Sequence, residues 1–249
     1  MTGRWPAWPL ACALSLTATS VFADAKGESW LKKLDQALSR PRDQEMLTEM
    51  VIQAPAGEPR RIGIRVHVRG GRRHMELLYP GDVKGTKILS LSRTQMYVYL
   101  PAYKKIRRIA THVRDQSLFG ADYNYDDMST PTYGDLYHAE FLGETKTQVR
   151  LRATLRAGQI SPYGKIEFTL RKSDAYPEEL KYFNARGTHI KTEVRRDYQC
   201  QQAMCVPRYM KMVDHSRSNH WTECLQKDWK LNTSFGEDVF SLRALQRSE

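Results

Sequence analysis

The sequence predicts a mainly β protein. We expect a single curved antiparallel sheet forming an incomplete β-barrel, with an N-terminal helix and an irregular segment covering its open apolar side. Three observations predict this class. Apolar and polar residues alternate with a period of two along most of the chain. Short turns separate these runs, with no strand–helix–strand rhythm. Only one segment carries the apolar stripe of a good helix.

The first residues, 1–23, predict a secretory signal peptide. Arg4 supplies the only charge, the stretch 8–22 is apolar or small, and Ala23 provides the small residue before the cleavage point. This uncharged stretch is shorter than the ~20 residues that a helix needs to cross a bilayer, which argues against an anchor. Residues 24–249 are then predicted to form one β domain outside the cytoplasm.

The exported part of the chain is strongly basic. Removal of Arg4 lowers the formal net charge from +11 to +10. In an exported protein this charge favours an anionic membrane surface or an acidic protein surface, and no nucleic acid is expected as a partner. The alternative is a solvated basic face that only keeps the protein soluble.

The helix is predicted from one apolar stripe, formed by Trp30, Leu31, Leu34, Ala37 and Leu38. Ser29 is the expected N-cap and Pro41 the expected stop. Such a stripe must lie on another apolar surface, so we expect the helix to pack on the sheet.

Strands are predicted in roughly ten or eleven segments. Gly70 and Gly71 form the expected turn of the first hairpin, and residues 237–246 are expected to close the chain with a short helical turn. The predicted strands cover 62–68, 75–79, 87–91, 96–100, 149–155, 165–170, 180–184, 190–198, 206–213 and 221–231.

One face of most strands is apolar, and the other carries residues such as Arg65, Arg150, Arg152 and Lys165. Only the helix and the irregular stretch 111–140 are available to cover the apolar face. This shortage favours a ligand cavity, which we expect beneath the N-terminal helix; the alternative is a small barrel filled by its own side chains. The candidate lipid-binding residues are Ile62, Ile64, Val66, Met75, Leu77, Met96, Val98, Val149, Leu151, Ile166 and Phe168.

A basic run follows an aromatic strand in the middle of the chain. Its members are candidates for contact with a lipid headgroup or a partner protein, because tyrosines favour apolar–wet boundaries and basic side chains bind phosphates. The alternative is an exposed edge strand protected by its charges. These candidates are Tyr99, Tyr103, Lys104, Lys105, Arg107 and Arg108.

The cysteines after the signal peptide predict one disulfide. Cys200 and Cys205 flank a short polar stretch between two strand-like runs, so a bridge closing a hairpin is expected in an oxidising compartment. Cys224 is expected to stay a thiol. The spacing is not C-x-x-C, which excludes the common zinc and thioredoxin-type sites.

Motifs of enzymes are missing from the sequence. It contains no metalloprotease helix, nucleophile elbow or phosphate-binding glycine loop, and the stretch 122–133 departs from a calcium loop at its glycine and glutamate positions. His138 and Glu140 form a close His–carboxylate pair, and a lipid hydrolase using them or the 122–127 cluster is the weakest alternative. We therefore expect no enzyme, no cofactor and no metal site.

Two motifs resemble the outer-membrane lipoprotein-sorting-like proteins of Gram-negative bacteria. The first is Met-Tyr-Val-Tyr-Leu-Pro at 96–101 with Lys-Lys-Ile-Arg-Arg at 104–108. The second runs from 119 to 128 and follows a Gly-Thr/Ser-Asp-Phe/Tyr-x-Tyr-Glu/Asp-Asp pattern, with Ala121 in place of the usual small polar residue. Its motif positions in this chain are Gly120, Asp122, Tyr123, Tyr125, Asp126 and Asp127.

This resemblance implies a periplasmic carrier with the fold of the lipoprotein carrier and receptor: an incomplete antiparallel barrel, helices at its open side and a cavity for acyl chains. It also implies a lipid or an acylated lipoprotein as cargo, moved towards the outer membrane, with an inner-membrane exporter of the resistance-nodulation-division type as a partner. The alternative function is an adaptor with a filled barrel that docks on such an exporter.

Overall fold

The computed structural model describes residues 24–39, 43–54, 56–129, 132–202 and 204–247. The predicted signal peptide at 1–23 and the predicted helix stop at Pro41 lie outside these residues. The described part confirms the predicted class: a mainly β chain whose strands form one antiparallel sheet that does not close. In the described part of the chain, no helix is both long and apolar enough to cross a membrane.

Helix α1 (Ala25–Leu38) comes first and helix α2 (Leu242–Gln246) last. The described residues between them contain thirteen strands: β1 (Gln44–Ile52), β2 (Arg60–Arg69), β3 (Arg72–Tyr79), β4 (Lys87–Ser92), β5 (Gln95–Leu100), β6 (Lys105–Arg108), β7 (Tyr137–Glu144), β8 (Gln148–Leu155), β9 (Lys165–Arg171), β10 (Pro177–Phe183), β11 (His189–Gln201), β12 (Met204–Asp214) and β13 (His220–Leu231).

Four elements differ from the prediction, and one of them is strand β6, which was considered only as the charged-edge alternative for the basic run. Helix α1 begins four residues before Ser29, and its N-cap is Asp24, whose side chain accepts a hydrogen bond from the Lys26 backbone N–H. Strand β1 was not predicted, because Gln44 and Thr48 interrupt the apolar side of its alternation. Strand β7 lies partly inside the stretch predicted as irregular, and a bulge before Gly143 disturbs its period.

The strand order shows which strands lie in the middle of the sheet and which lie at its edges. The order is β6-β5-β4-β3-β2-β1-β13-β12-β11-β10-β9-β8-β7, so the first strand of the chain, β1, pairs with the last, β13. The strands β6 and β7 form the two free edges. The predicted short helical turn at the C-terminus is confirmed, because residues Glu237–Phe240 and α2 are helical.

The alternation places the predicted apolar set on one face. Ile62, Ile64, Leu151 and Phe168, with their neighbours on the same face, belong to one large core cluster on the concave side. On the opposite face Arg152 pairs with Glu167 on the neighbouring strand. A smaller apolar cluster lies on that convex face, where the tail residues Phe240 and Leu245 pack on Leu89 of β4.

Helix α1 closes the β7 edge through its carboxylates. Asp24 and Glu28 accept hydrogen bonds of 2.6 and 3.0 Å from the backbone N–H groups of Phe141 and Ala139. The approach needs Gly27, because a Cβ at this position would lie 2.5 Å from the Ala139 carbonyl oxygen. An edge strand left open would expose unpaired donors to another chain, and α1 satisfies them instead.

Candidate functional site

A cavity of about 280 Å³ lies between the concave face and the covering segment, by which we mean residues 109–129 and 132–136 of the connection between β6 and β7. Of α1, only Leu38 and the following Ser39 reach its wall. The expectation of a cavity beneath the N-terminal helix is therefore wrong. Trp30, Leu31 and Leu34 fill that space, because the helical stripe is packed into the large core cluster.

One wall of the cavity is apolar. Strands β1, β2 and β3 provide most of it, with help from β9 and β12. Methionines are unusually frequent there, and their flexible, polarizable side chains adapt to ligands of irregular shape. The apolar lining residues are Met46, Met50, Ile64, Val66, Val68, Met75, Met128, Ile166 and Met210, with Leu118 above them.

Four of the eleven predicted lipid-binding residues line the cavity: Ile64, Val66, Met75 and Ile166. The other seven share their face of the sheet but pack in the large core cluster outside the cavity wall: Ile62, Leu77, Met96, Val98, Val149, Leu151 and Phe168. Met96, Val98, Val149 and Leu151 lie on β5 and β8, which contribute no residue to the cavity wall. Ile62, Leu77 and Phe168 lie two positions from Ile64, Met75 and Ile166 on their strands, where the core is filled.

The opposite wall is polar and belongs to β10 and β11. Glu193 and Arg195 both face the cavity, and the Arg195 guanidinium donates to the two Glu193 carboxylate oxygens over 2.9 and 3.1 Å. Tyr182 and Tyr123 also donate to Glu193, over 2.8 and 3.4 Å. Burial raises the pKa of both tyrosines well above 10, so both remain hydrogen-bond donors at neutral pH.

Asp127 lies where the covering segment meets this polar wall. Tyr163 donates to its carboxylate over 2.9 Å, and Asp127 exchanges two hydrogen bonds of 2.8 Å with Asn124. Burial raises the pKa of Asp127 to about 6, although the nearby Lys191 charge opposes the shift.

The other motif carboxylates fasten the covering segment to the sheet. The Asp122 side chain is fully buried; Arg217 donates to it over 3.0 Å, Thr222 donates over 2.7 Å, and His220 Nδ1 lies 2.9 Å away. Gly120 precedes it with φ of +89°, a conformation that favours glycine. The structure therefore gives the start of this motif an anchoring position.

Asp126 is buried and pairs with two arginines, Arg93 at 3.2 Å and Arg114 at 3.6 Å. Tyr125 is half-buried and packs against the large core cluster. Of the six motif residues, Tyr123, Asp126 and Asp127 reach the cavity wall.

The predicted basic run lies elsewhere. It forms the edge strand β6 and the turn before it, and no member lines the cavity. Cross-strand pairing puts Lys105 and Arg107 on the side of Val98, and Arg108 on the side of Tyr99, so the charges point to both faces of the sheet. Tyr99 packs in the convex cluster, Tyr103 is 66% exposed and Lys104 is exposed. This placement fits the charged-edge alternative, and headgroup or partner contact stays a prediction.

Three charged residues of the cavity wall were not predicted from the sequence. Arg73 on β3 and Arg195 with Glu193 on β11 all line it. Arg73 stands two positions before Met75, so strict alternation already places it on the apolar face. On β11 the faces could not be distinguished, because Thr192 and Val194 alternate with Glu193 and Arg195 without a clear apolar side.

The cysteine prediction is confirmed. Cys200 and Cys205 form a disulfide across the β11–β12 hairpin. Cys224 is a buried free cysteine in the cavity wall. Burial raises the pKa of its thiol to about 12, so it is a poor nucleophile.

Of the residues considered for hydrolysis, Asp126 and Asp127 line the cavity, whereas His138 and Glu140 do not. His138 lies 3.3 Å from Glu28 of α1 and accepts a hydrogen bond from Arg156, outside the cavity wall. Glu140 is exposed and pairs with Arg152 on the opposite face. Within the described ranges, no group of three or more His, Cys, Asp or Glu side chains is arranged to hold a metal ion.

Comparison with known proteins places the chain in a family and a fold. A family model described as "Uncharacterized protein" matches residues 71–247. An outer membrane lipoprotein-sorting protein domain from Vibrio parahaemolyticus is similar with a TM-score of 0.82 and 22% identity, over 89% of this chain and 99% of that one.

Two further solved structures share the fold. A DUF1329 family protein from Desulfovibrio piger has a TM-score of 0.81 and 19% identity, over 89% of this chain and 98% of its own. A LolA superfamily protein from Nitrosomonas europaea has a TM-score of 0.72 and 17% identity, over 88% and 98%. A search of curated proteins finds no match. The resemblance predicted from the two motifs is confirmed at the level of the fold.

Proposed function

Because the chain belongs to the family whose model spans residues 71–247 and has the fold of lipoprotein-sorting domains, we propose that it is a carrier of acylated molecules. It shields the acyl chain of a lipid or lipoprotein in its cavity during transfer across the periplasm towards the outer membrane. Transfer involves no covalent chemistry and follows the relative affinities of donor and acceptor. The disulfide supports an oxidising compartment.

The single observation that carries the proposal is the cavity with its methionine-rich wall. Its volume of about 280 Å³ lies close to the lower end of the roughly 300–1,000 Å³ typical of small-molecule sites. Five methionines line it, so the wall can adapt as a longer chain enters. A filled barrel, as the adaptor alternative requires, would lack this space.

Burial of methylenes supplies most of the affinity. Each buried methylene gains about 0.8 kcal/mol, so eight of them give about 6 kcal/mol before ordering costs. Micromolar binding needs about 8 kcal/mol. A longer chain or a contact with the headgroup must therefore add the remainder.

Partners beyond the cargo are part of the proposal. The exposed basic edge at Lys105, Arg107 and Arg108 supports contact with an anionic membrane surface. As a second partner, we propose an inner-membrane exporter of the resistance-nodulation-division type, on which the protein would dock, as the resemblance implies.

The test is titration of the purified mature protein with a fluorescent fatty-acyl probe. We expect saturable binding at micromolar concentration. Val66→Trp fills the cavity wall and should weaken binding at least tenfold. Thr169→Trp is the matched control, because threonine has the shape of valine and Thr169 lies on the convex face of β9 between two buried residues.

Two results would contradict the carrier function. Absence of binding at tens of micromolar would favour the adaptor, and so would equal binding by the Val66→Trp and Thr169→Trp variants. Circular dichroism of both variants confirms that they fold.

A further inference from the structure

We propose that Arg73 is an anion-binding residue at the cavity mouth, which holds the carboxylate or phosphate of the acylated ligand while the acyl chain lies along the methionine-rich wall. This inference rests on the proposed function and adds the chemical class of the ligand's polar end. Its first support is the position of Arg73 in the sheet.

Arg73 lies on the concave face near the β2–β3 turn. It is paired across the strands with Val68, which also lines the cavity, and it precedes Met75 by two positions on the same face. Gly70 and Gly71 of this turn are exposed and line the cavity as well. The mouth of the cavity is therefore at this turn, and Arg73 stands just inside it.

Arg73 has no carboxylate partner. Among the described residues it makes no hydrogen bond or salt bridge, whereas the adjacent Arg72 pairs with Glu237 on the convex face. Burial lowers the pKa of the Arg73 guanidinium, and the charge of Arg195 lowers it further. A guanidinium in such surroundings is stabilised when an anion binds, because arginine keeps its charge and needs a partner away from water.

The second arginine of the cavity cannot take this role alone. Arg195 is already held by both oxygens of Glu193, so its charge is largely compensated. It contributes a positive potential beside Arg73, as its effect on the pKa of Arg73 shows. Arg73 therefore supplies the free donors, and Arg195 strengthens the site.

The cavity carries a positive charge near its mouth and is apolar further in, which matches a ligand with an anionic end and an acyl chain. From the mouth inwards, β2 presents Val68, Val66 and Ile64, and β3 presents Arg73 and then Met75. Residues on one face of a strand are about 6.6 Å apart, so Arg73 lies one such step from Met75. An anionic end at Arg73 leaves the chain pointing towards Ile64 and Met75.

The planar guanidinium binds carboxylates and phosphates equally well in a forked geometry. A fatty acid or acylated carboxylate and a phospholipid therefore share the chemistry that Arg73 recognises. The experiment below separates these two sources with matched ligands that differ only in charge.

The test measures displacement of a neutral fluorescent acyl probe from the mature protein by two ligand pairs of equal chain length. The first pair is hexadecanoic acid and hexadecanol; the second is hexadecanoyl lysophosphatidate and monohexadecanoylglycerol. We expect the anionic member of at least one pair to bind at least tenfold tighter than its neutral partner. The pair with the larger ratio identifies carboxylate or phosphate as the natural group.

Arg73→Gln should reduce this ratio to near one without weakening the neutral ligands, and Arg73→Lys should keep part of it because the charge remains. Arg150→Gln, on the exposed face of β8, is the control for loss of one positive charge. Since Arg73 has no partner to lose, its Gln variant should fold with unchanged or higher stability, which thermal unfolding checks.

The inference is overturned if both members of each pair bind equally to the unaltered protein, or if Arg73→Gln leaves the ratio intact. In both cases acyl binding persists and the carrier function survives. If none of the four ligands displaces the probe and the probe itself does not bind, the carrier function fails together with the inference.

Discussion

The concave face is covered by helix α1 and by the covering segment, and the space beneath these two covers differs. Beneath helix α1 the space is filled, because the stripe of Trp30, Leu31 and Leu34 packs into the large core cluster. Beneath the covering segment a cavity remains. Both covers rest on the same sheet, so the difference comes from the covers and not from the strands.

The anchoring of each cover explains the difference. Helix α1 is attached by polar side chains beside its apolar stripe: Asp35 accepts hydrogen bonds of 2.7 and 2.8 Å from the backbone N–H groups of Tyr133 and Gly134. The apolar stripe is therefore left to fill the core. The covering segment instead directs Asp122 to Thr222 of β13, and Asp127 to Tyr163 in the connection between β8 and β9. Part of this cover still packs in the large core cluster, through residues such as Leu118 and Leu136, but beside its polar anchors a cavity remains.

The largest effect is expected from removal of the deepest anchor of the covering segment. Asp122→Ala leaves Arg217, Thr222 and His220 without their common acceptor. Thr222 is fully buried and His220 largely so, and each buried donor left without an acceptor costs about 1–3 kcal/mol, so we expect a total loss of about 3–5 kcal/mol. Denaturant unfolding should show this loss.

Asp82→Ala is the control, because Asp82 forms an exposed ion pair with Arg60, and such pairs contribute about 0–1 kcal/mol. Equal losses in the two variants would contradict the anchoring role of Asp122.

The next prediction compares two isoleucines on the same face of β2. Ile62 is fully buried in the filled core, whereas Ile64 lines the cavity. Ile62→Ala should cost about 3–4 kcal/mol, because truncation in a packed core leaves a new void. Ile64→Ala should cost at least about 1 kcal/mol less, because part of its surface already faces the cavity.

Unfolding free energies of the two variants provide the measurement. Each variant is the matched control of the other, since the residue type, the strand and the face are the same. A larger loss for Ile64→Ala would mean that the space beneath the covering segment is filled in solution.

The sequence could predict the sheet and its faces but not the location of the cavity. Alternation at Ile62, Ile64 and Val66 determines one apolar face wherever the opposite face is polar. It is uninformative at Gln44 and Thr48, where polar residues face the interior, and β1 was missed for this reason.

The cavity depends on contacts far apart in the chain, and local pattern does not reveal them. The covering segment folds over the sheet through pairs such as Asp122 with His220, which are 98 positions apart. The motif that contains Asp122, Tyr123 and Asp127 was recognised, whereas its anchoring contacts were readable only from the structure. The charge at Arg73 was readable from alternation, yet its lack of a partner was not.

The smallest expected effect is the pH dependence of the contribution of Asp127 to the free energy of unfolding. Burial raises the pKa of Asp127 from 3.8 to about 6, so between about pH 4 and pH 6 the folded protein holds a proton at Asp127 that the unfolded chain releases. The contribution of Asp127 to the free energy of unfolding therefore rises as the pH falls from about 7 to 4, and it is lost as the pH rises through about 6.

Carboxylates with lowered pKa values, such as Asp43 and Glu237, respond in the opposite direction, because acid protonates them against their arginine partners. The informative quantity is thus the stability of the unaltered protein relative to Asp127→Asn. This difference should grow by about 1–2 kcal/mol between pH 7 and pH 5, less than the full shift implies because Asp127 borders the cavity. Asp115→Asn, an exposed position of the same segment, controls for the loss of one charge. If the difference instead shrinks on acidification, the Asp127 carboxylate is stabilised by its partners at neutral pH and the covering segment is anchored by charge at both ends.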